Sequence, residues 1–168
     1  TGIIGVFMRY CHRNLEKFKS EEVYSKILEI GAGTAHHLPY IKHKFQHYYV
    51  AETSDFAINH LKNAGIENLV KYEGVKLPFE NSFFDRIIIS HVLEHINNPE
   101  EFLIEMMRTL KRGGVLSISL PTDPGLLWRS SRNMIKLFVL NRTQKLSNIE
   151  YDYINYTEHI NSIFNLRN

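Results

Sequence analysis

One cysteine, Cys11, in a chain of 168 residues excludes an internal disulfide and any metal cluster built on several cysteines. That usage fits a reducing compartment, so the chain is expected in the cytoplasm. Long apolar runs are missing too. The longest candidate, Met134 to Leu140, is interrupted by Lys136 and falls well short of the roughly 20 residues that span a bilayer, so no transmembrane segment is expected. An excess of one charge is also lacking: 20 Lys and Arg against 18 Asp and Glu leave a formal net charge of +2. Nucleic acid binding rests on a concentrated basic surface, which this balance does not supply, so nucleic acid is not an expected partner. There is no internal repeat and no low-complexity tract. What remains, 43% hydrophobic and 23% charged residues, is the composition of an ordinary globular domain rather than of a disordered chain or a coiled coil. Composition leaves the oligomeric state open.

Strand and helix signals alternate from about residue 20 to residue 121, the pattern of parallel β-α-β units with helices on both faces of a sheet. Five short strands are expected, over Lys26 to Ile30, Tyr48 to Glu52, Leu69 to Glu73, Asp85 to Ser90 and Val115 to Leu120, with four helices between them. The clearest helix starts at Asn98-Pro99-Glu100-Glu101, where Asn98 caps, Pro99 takes the first helical position and Glu101 completes a capping box. Its core face is Phe102, Met106 and Leu110 with Leu103 and Met107 beside them, and Gly113-Gly114 stops it. A helix is also expected after the glycines near residue 33, with Leu38, Ile41 and Phe45 on one stripe and Pro39 in its first turns. The domain reading is a core over 1–121, with an N-terminal helix over 1–24, and a helical or loop cap over 122–168 on the acceptor side of the same domain.

The chemistry gathers at the strand ends. Ile27-Leu28-Glu29-Ile30-Gly31-Ala32-Gly33-Thr34-Ala35 reads as a buried strand running into a glycine turn. Gly31 and Gly33 lack the Cβ that would keep a backbone from closing on an adenosine-containing ligand. Glu29 repels a pyrophosphate but suits a cationic, amine-bearing ligand. Glu52 ends the second strand, 21 residues after Gly31, the spacing from which a carboxylate takes both hydroxyls of an adenosine ribose. Glu73 ends the third, before Gly74-Val75-Lys76-Leu77-Pro78-Phe79, where an acid can accept from an adenine amine while apolar neighbours flank the ring.

In order, the blocks are Leu28-Glu29-Ile30-Gly31-Ala32-Gly33-Thr34, Glu52, Leu77-Pro78-Phe79 with Asn81-Ser82-Phe83-Phe84-Asp85, Ser90-His91-Val92-Leu93-Glu94-His95, and Leu110-Lys111-Arg112-Gly113-Gly114. Over residues 25 to 121 the chain thereby resembles the class I S-adenosylmethionine-dependent methyltransferases of the type 11 group, which includes quinone-biosynthesis methyltransferases. The resemblance implies an α/β fold, a Rossmann-like doubly wound sheet of strand order 3-2-1-4-5. It implies S-adenosyl-L-methionine as cofactor and S-adenosyl-L-homocysteine as product. By the same resemblance Glu29, Gly31 and Gly33 hold the methionine portion, Glu52 the ribose and Glu73, Gly74 and Val75 the adenine. Ser90 and His91 line the methionine side, and Ala32, Thr53 and Ser54 complete the cofactor-binding set. Three departures stand out. Ala35 replaces the third glycine, strand three ends in Glu rather than Asp, and the family's last two strands have no convincing counterpart after Pro121. The chain also begins at Thr1 rather than Met, and the native protein is expected to continue past Asn168.

His91 and His95 lie four apart, as two metal ligands on a helix would, but no third ligand at usable spacing joins them and no metal is expected. Either could act as a base toward an acceptor hydroxyl, and they are the weak catalytic candidates; no catalytic base is assigned. His36 and His37 are expected at the surface. Arg129, Arg132 and Lys136 form a basic stripe that reads first as a solvated helix face and second as a contact for a phosphorylated, sugar-nucleotide or lipid-linked acceptor. Tyr151, Tyr153 and Tyr156 with His159 read as an acceptor pocket or as a packed cap. The Pro78-Phe79 turn and Phe83-Phe84 read as core packing.

Two other functions share these features. A nicotinamide dehydrogenase also uses a glycine turn followed by an acid, but its fingerprint requires glycine where His36 stands. A non-catalytic cofactor-binding or interaction domain is the other. Ser90-His91-Val92 stands where amino-group DNA and glutamine methyltransferases carry an Asn-Pro-Pro-Tyr type motif, and the Pro-Cys pair of cytosine methylation is missing. The expected acceptor is therefore a small molecule, a lipid or a saccharide, with O, N and C methylation all open.

Overall fold

A computed structural model describes residues 3–17 and 23–120. The chain divides into two compact units. The first, residues 1–90 with 100–119, carries a helix α1 (Ile3–Leu15) and the sheet. Its strands are β1 (Tyr24–Ile30), β2 (Phe45–Glu52), β3 (Asn68–Lys71), β4 (Phe84–Ser90) and β5 (Leu110–Ser119), with helices α2 (Asp55–Asn63) and α3 (Pro99–Thr109) between them. Of the second unit, residues 91–99 and 120 are described, and they contain one tight helical turn at Leu93–His95.

The strand order is β3-β2-β1-β4-β5 and every pairing is parallel, the arrangement implied by the resemblance. Parallel strands covered on both faces lose the alternation of a half-wet strand. Ile27, Leu28 and Ile30 of β1 and Ile87, Ile88 and Ile89 of β4 are accordingly all fully buried, each worth roughly 1.5 to 3 kcal/mol. Tyr48 and Tyr49 point to opposite faces of β2. Tyr48 packs with Tyr24, Ile27, Val50 and Leu61 of α2. Tyr49 meets Phe79, Phe83 and Phe84 edge-on at ring distances of 5.4 to 6.0 Å. The aromatic pair and the Phe79 turn thus pack into one cluster.

Several elements differ from the sequence reading. The N-terminal helix ends at Leu15 and Tyr24 already belongs to β1. No α-helix follows the glycine turn. Gly31, Gly33 and Ala35 all have positive φ, of 64°, 58° and 58°, which interrupts the run of right-handed residues a helix needs. Only a three-residue helical turn forms, at Leu38–Tyr40 around Pro39, and Phe45 opens β2 instead of closing a helix. Among the described residues, α2 and α3 are the α-helices that lie between strands, where four were expected.

In α3 the expected stripe holds for Phe102 and Met106, both fully buried, whereas Met107 is exposed. The helix ends at Thr109, whose hydroxyl bonds back to the Glu105 and Met106 carbonyls. β5 then runs straight through Gly113-Gly114, with an irregular register opposite Phe84 and Arg86. A Cβ on Gly114 would stand 2.9 Å from the Asp85 and Lys111 carbonyl oxygens, so this glycine serves a close strand approach rather than a helix stop. The basic stripe at Arg129, the tyrosines from Tyr151, the proposed cap over 122–168 and any further strands lie outside the described residues.

Candidate cofactor site

The carboxyl ends of β1 and β2 meet because Ile30 pairs with Ala51 and the Gly31 amide donates to the Ala51 carbonyl at 2.9 Å. Glu52 follows at once, and its side chain turns back over the glycine turn. Its Oε2 accepts from the Gly33 amide at 3.0 Å, while Oε1 accepts from the Thr53 amide at 2.8 Å and the Ser54 amide at 3.3 Å. The carboxylate is thus held by backbone donors from both strand ends and is 7% exposed. Ser54 caps α2 by accepting from the Ala57 amide at 3.4 Å. Ala32 is buried, and a Cβ at Gly33 would meet nothing within 4 Å. The constraint on Gly33 is therefore its left-handed φ rather than crowding.

Glu29 lies deeper. It is buried, and its Oε2 accepts from the Tyr48 hydroxyl at 2.5 Å. Burial pushes its carboxyl above the usual carboxylate range, against the Tyr48 bond and the nearby His37 and Arg86, which favour the charge. Burial and the neighbouring carboxylate likewise push the Tyr48 hydroxyl up, so it stays a donor.

β3 stops at Lys71, so Glu73 stands two residues past the strand rather than at its end, and it is exposed. The segment is nevertheless tied to the site, since the Tyr72 amide donates to the Glu52 carbonyl at 3.2 Å. Gly74 turns at φ 68°, and Val75 is half-buried. Farther along, Glu105 and Arg108 of α3 grip both polar groups of Leu77: its amide donates to Glu105 Oε1 at 2.7 Å and its carbonyl accepts from Arg108 at 3.2 Å. Arg108 in turn holds the Glu105 carboxyl below its usual range. Sequence reasoning passed over this clamp because an acid and a base at i, i+3 on a helix look like an ordinary surface pair.

Ser90 closes β4 opposite Ser119, and its hydroxyl oxygen is buried with no hydrogen-bond partner among the described residues. In the second unit His91 adopts a left-handed φ of 56° and its Nδ1 lies 3.3 Å from the buried carboxylate of Glu94. His95 is exposed and ends a single tight turn, its amide donating to the Val92 carbonyl at 2.9 Å. The α-helical face that would align His91 with His95 is therefore not formed.

The largest surprise is a buried polar cluster. Arg86 of β4 is fully buried and donates to both oxygens of Glu16, at 2.6 and 3.1 Å, and to Ser117 Oγ at 3.1 Å and the Leu15 carbonyl at 3.1 Å. Glu16 also meets His37 Nε2 at 3.0 Å and the Lys42 amide at 3.1 Å. His37, expected at the surface, is thus buried, while its neighbour His36 is exposed. Burial alone would push the Glu16 carboxyl up, yet the bonds from His37 and Arg86 outweigh it and hold its pKa at about 2. The one available signal was Arg86 itself, a charge inside an apolar strand, which requires a buried partner.

The model of the type 11 methyltransferase-domain family matches residues 28–118. Among curated relatives, the ubiquinone/menaquinone biosynthesis C-methyltransferase UbiE of Stutzerimonas stutzeri is 36% identical over 63 residues, covering 36% of this chain and 25% of that protein. Among solved structures, a SAM-dependent methyltransferase of Thermotoga maritima, described as a possible histamine N-methyltransferase, superposes with a TM-score of 0.56 at 21% identity. That match covers 92% of this chain and 76% of the other. The trans-methyltransferase CalH, solved in complex with SAH, superposes with a TM-score of 0.51 at 21% identity over 71% of this chain and 41% of its own. The chain spans between about a quarter and a half of the length of the curated relatives it matches.

Proposed function

The chain belongs to the type 11 methyltransferase-domain family, and from that premise we propose that it binds S-adenosyl-L-methionine at the carboxyl ends of β1 and β2. It transfers the methyl group to a small-molecule, lipid or saccharide acceptor and releases S-adenosyl-L-homocysteine. The observation that carries this reading is Glu52, whose carboxylate bridges the glycine turn and the start of α2.

The residues fit the cofactor. A carboxylate offers about four lone-pair sites; Glu52 uses three on backbone amides, and the Ser54 contact at 3.3 Å is the weakest of them. The remaining lone pair and the weakly held Ser54 position would be the places for the ribose hydroxyls. Glu29 meets the methionine ammonium, which restores the charge that burial disfavours. Gly31, Ala32 and Gly33 present backbone to the methionine portion, and Thr53 and Ser54 flank the ribose. Glu73, Gly74 and Val75 hold the adenine on a segment steadied by the Leu77 clamp. The buried Ser90 hydroxyl, orphaned among the described residues, would gain a polar partner from the methionine portion.

The cofactor supplies an activated methyl group, so the protein's task is to bind, orient and exclude water. Holding reacting groups in line can account for about 7 kcal/mol or more of the barrier without any acid or base. Where the acceptor must lose a proton, His91, whose Nδ1 contacts Glu94, is the better placed of the two histidine candidates, since His95 is exposed. The proposed compartment is the cytoplasm, on the single cysteine; among the described residues no helix is long and apolar enough to cross a membrane.

Calorimetric titration tests the reading. S-adenosyl-L-homocysteine binds the full chain and NAD does not. Glu52→Ala weakens binding about 100-fold, the loss expected for two bonds to a charged acceptor. Unchanged affinity in that variant would sink the ribose assignment.

A further inference from the structure

The buried cluster has a bearing on the glycine turn that neither the family nor the cofactor reading assigns. His37 stands four residues past Gly33, and two consecutive turns join them: the Ala35 amide donates to the Ala32 carbonyl at 2.8 Å, and the Leu38 amide to the Ala35 carbonyl at 3.2 Å. These two turns link His37 to the glycine turn through backbone hydrogen bonds. Its ring is held on both sides, with Nε2 against Glu16 at 3.0 Å and Nδ1 against Nδ1 of His12 at 3.1 Å. His12 comes from α1 and stacks on Tyr40 at 5.1 Å between ring centres.

The contact between the two Nδ1 atoms needs one proton between them, one ring donating and the other accepting. With both rings neutral, His37 donates through Nε2 to Glu16 and His12 donates to His37. One added proton keeps that single hydrogen between the rings. A second puts two N–H groups face to face and breaks the contact. Among the described residues, the charged and titratable groups facing the pair are Glu16, Arg86, His43 and Tyr40, with Glu29 of β1 acting at longer range.

We propose that Glu16 and His37 are positioning residues for the cofactor turn, and that the His12–His37 pair is a proton-sensitive latch that releases the turn when both rings become charged. The proposal rests on the cofactor reading above. Free histidine charges near pH 6.5. Above that pH the latch is closed; below it, cofactor-free chains with the turn released take up one proton more than the bound form, and affinity falls by up to about tenfold per pH unit.

The affinity of the full chain for S-adenosyl-L-homocysteine, measured by calorimetry from pH 7.5 to 5.5, tests this together with ring titration by histidine 15N spectra. Binding is expected to weaken roughly tenfold across that range. His12→Gln is expected to flatten the dependence, and any contribution from Glu29 is common to both proteins. In the cofactor-free chain at pH 5.5 both rings are expected to be charged with their contact broken, whereas in the bound chain one of them stays neutral. Equal slopes for wild type and His12→Gln, or two charged rings in a folded chain with the contact intact, would overturn the latch and leave the cofactor site standing. Absence of binding at every pH overturns the cofactor reading and the latch with it.

Discussion

Glu16 and Glu29 are both buried in the same unit, yet they stand in opposite electrostatic states. Glu16 gathers an arginine, a histidine and a backbone amide, and its pKa falls to about 2. Glu29 has the Tyr48 hydroxyl as its main donor, and burial wins, raising its pKa. Depth alone does not decide whether a carboxyl is charged; the supply of donors does. Glu16 is a buried carboxylate with its donors in place, whereas Glu29 is a buried carboxyl whose main donor is a single hydroxyl.

Removing the donor that distinguishes the two is the most damaging test. Arg86→Leu leaves Glu16 buried without its main cation and is expected to cost about 3 to 5 kcal/mol in urea unfolding at pH 7. A loss under 1 kcal/mol would mean that Glu16 escapes to water and that the cluster is not a unit. The signs with pH also differ. The contribution of Glu16, whose pKa is lowered, is present above pH 4.5 and lost as pH falls toward 2. That of Glu29, whose pKa is raised, is present at acid pH and lost as pH rises through its folded value.

Glu29→Gln sharpens the contrast from the other side. It removes the free-energy cost that burial imposes on this carboxyl, so thermal unfolding at pH 8 is expected to show a gain of about 1 kcal/mol that disappears near pH 4, while affinity for S-adenosyl-L-homocysteine drops at least roughly tenfold. Lost stability at pH 8 would place Glu29 in the same class as Glu16. The smallest effect belongs to the turn that follows β1. Ala35→Gly relieves a left-handed φ of 58° and is expected to stabilise by about 0.5 kcal/mol, since part of the relief is offset by the freer unfolded chain. A destabilised variant in chemical unfolding would show that the Ala35 methyl packs usefully against its hydrophobic neighbours.

Much of the sheet was legible before any coordinates. The run at 27–30, apolar except for Glu29, and the apolar run at 87–89 read as buried strands in a sheet with helices on both faces, and the spacing of Gly31 and Glu52 anticipated two adjacent strand ends. The helix after the glycine turn was misread for a local reason. Leu38, Ile41 and Phe45 do recur at helical spacing, but three left-handed residues and Pro39 consume the segment before a helix can start. The end of α3 was misread for a non-local one, because Gly114 is needed by the close approach of a neighbouring strand at Asp85 that no window of sequence contains. His37 was misassigned for the same reason, its partner Glu16 lying 21 positions away.

The sequence by itself determined the central strands, the glycine turn and the Glu52 carboxylate at the end of β2, because each depends on residue type and on spacing between two successive strands. Only the tertiary structure decided which buried carboxyl is satisfied. The arginine that neutralises Glu16 comes from 70 positions along the chain, and the free energy of a buried charge is set by whatever the fold brings beside it.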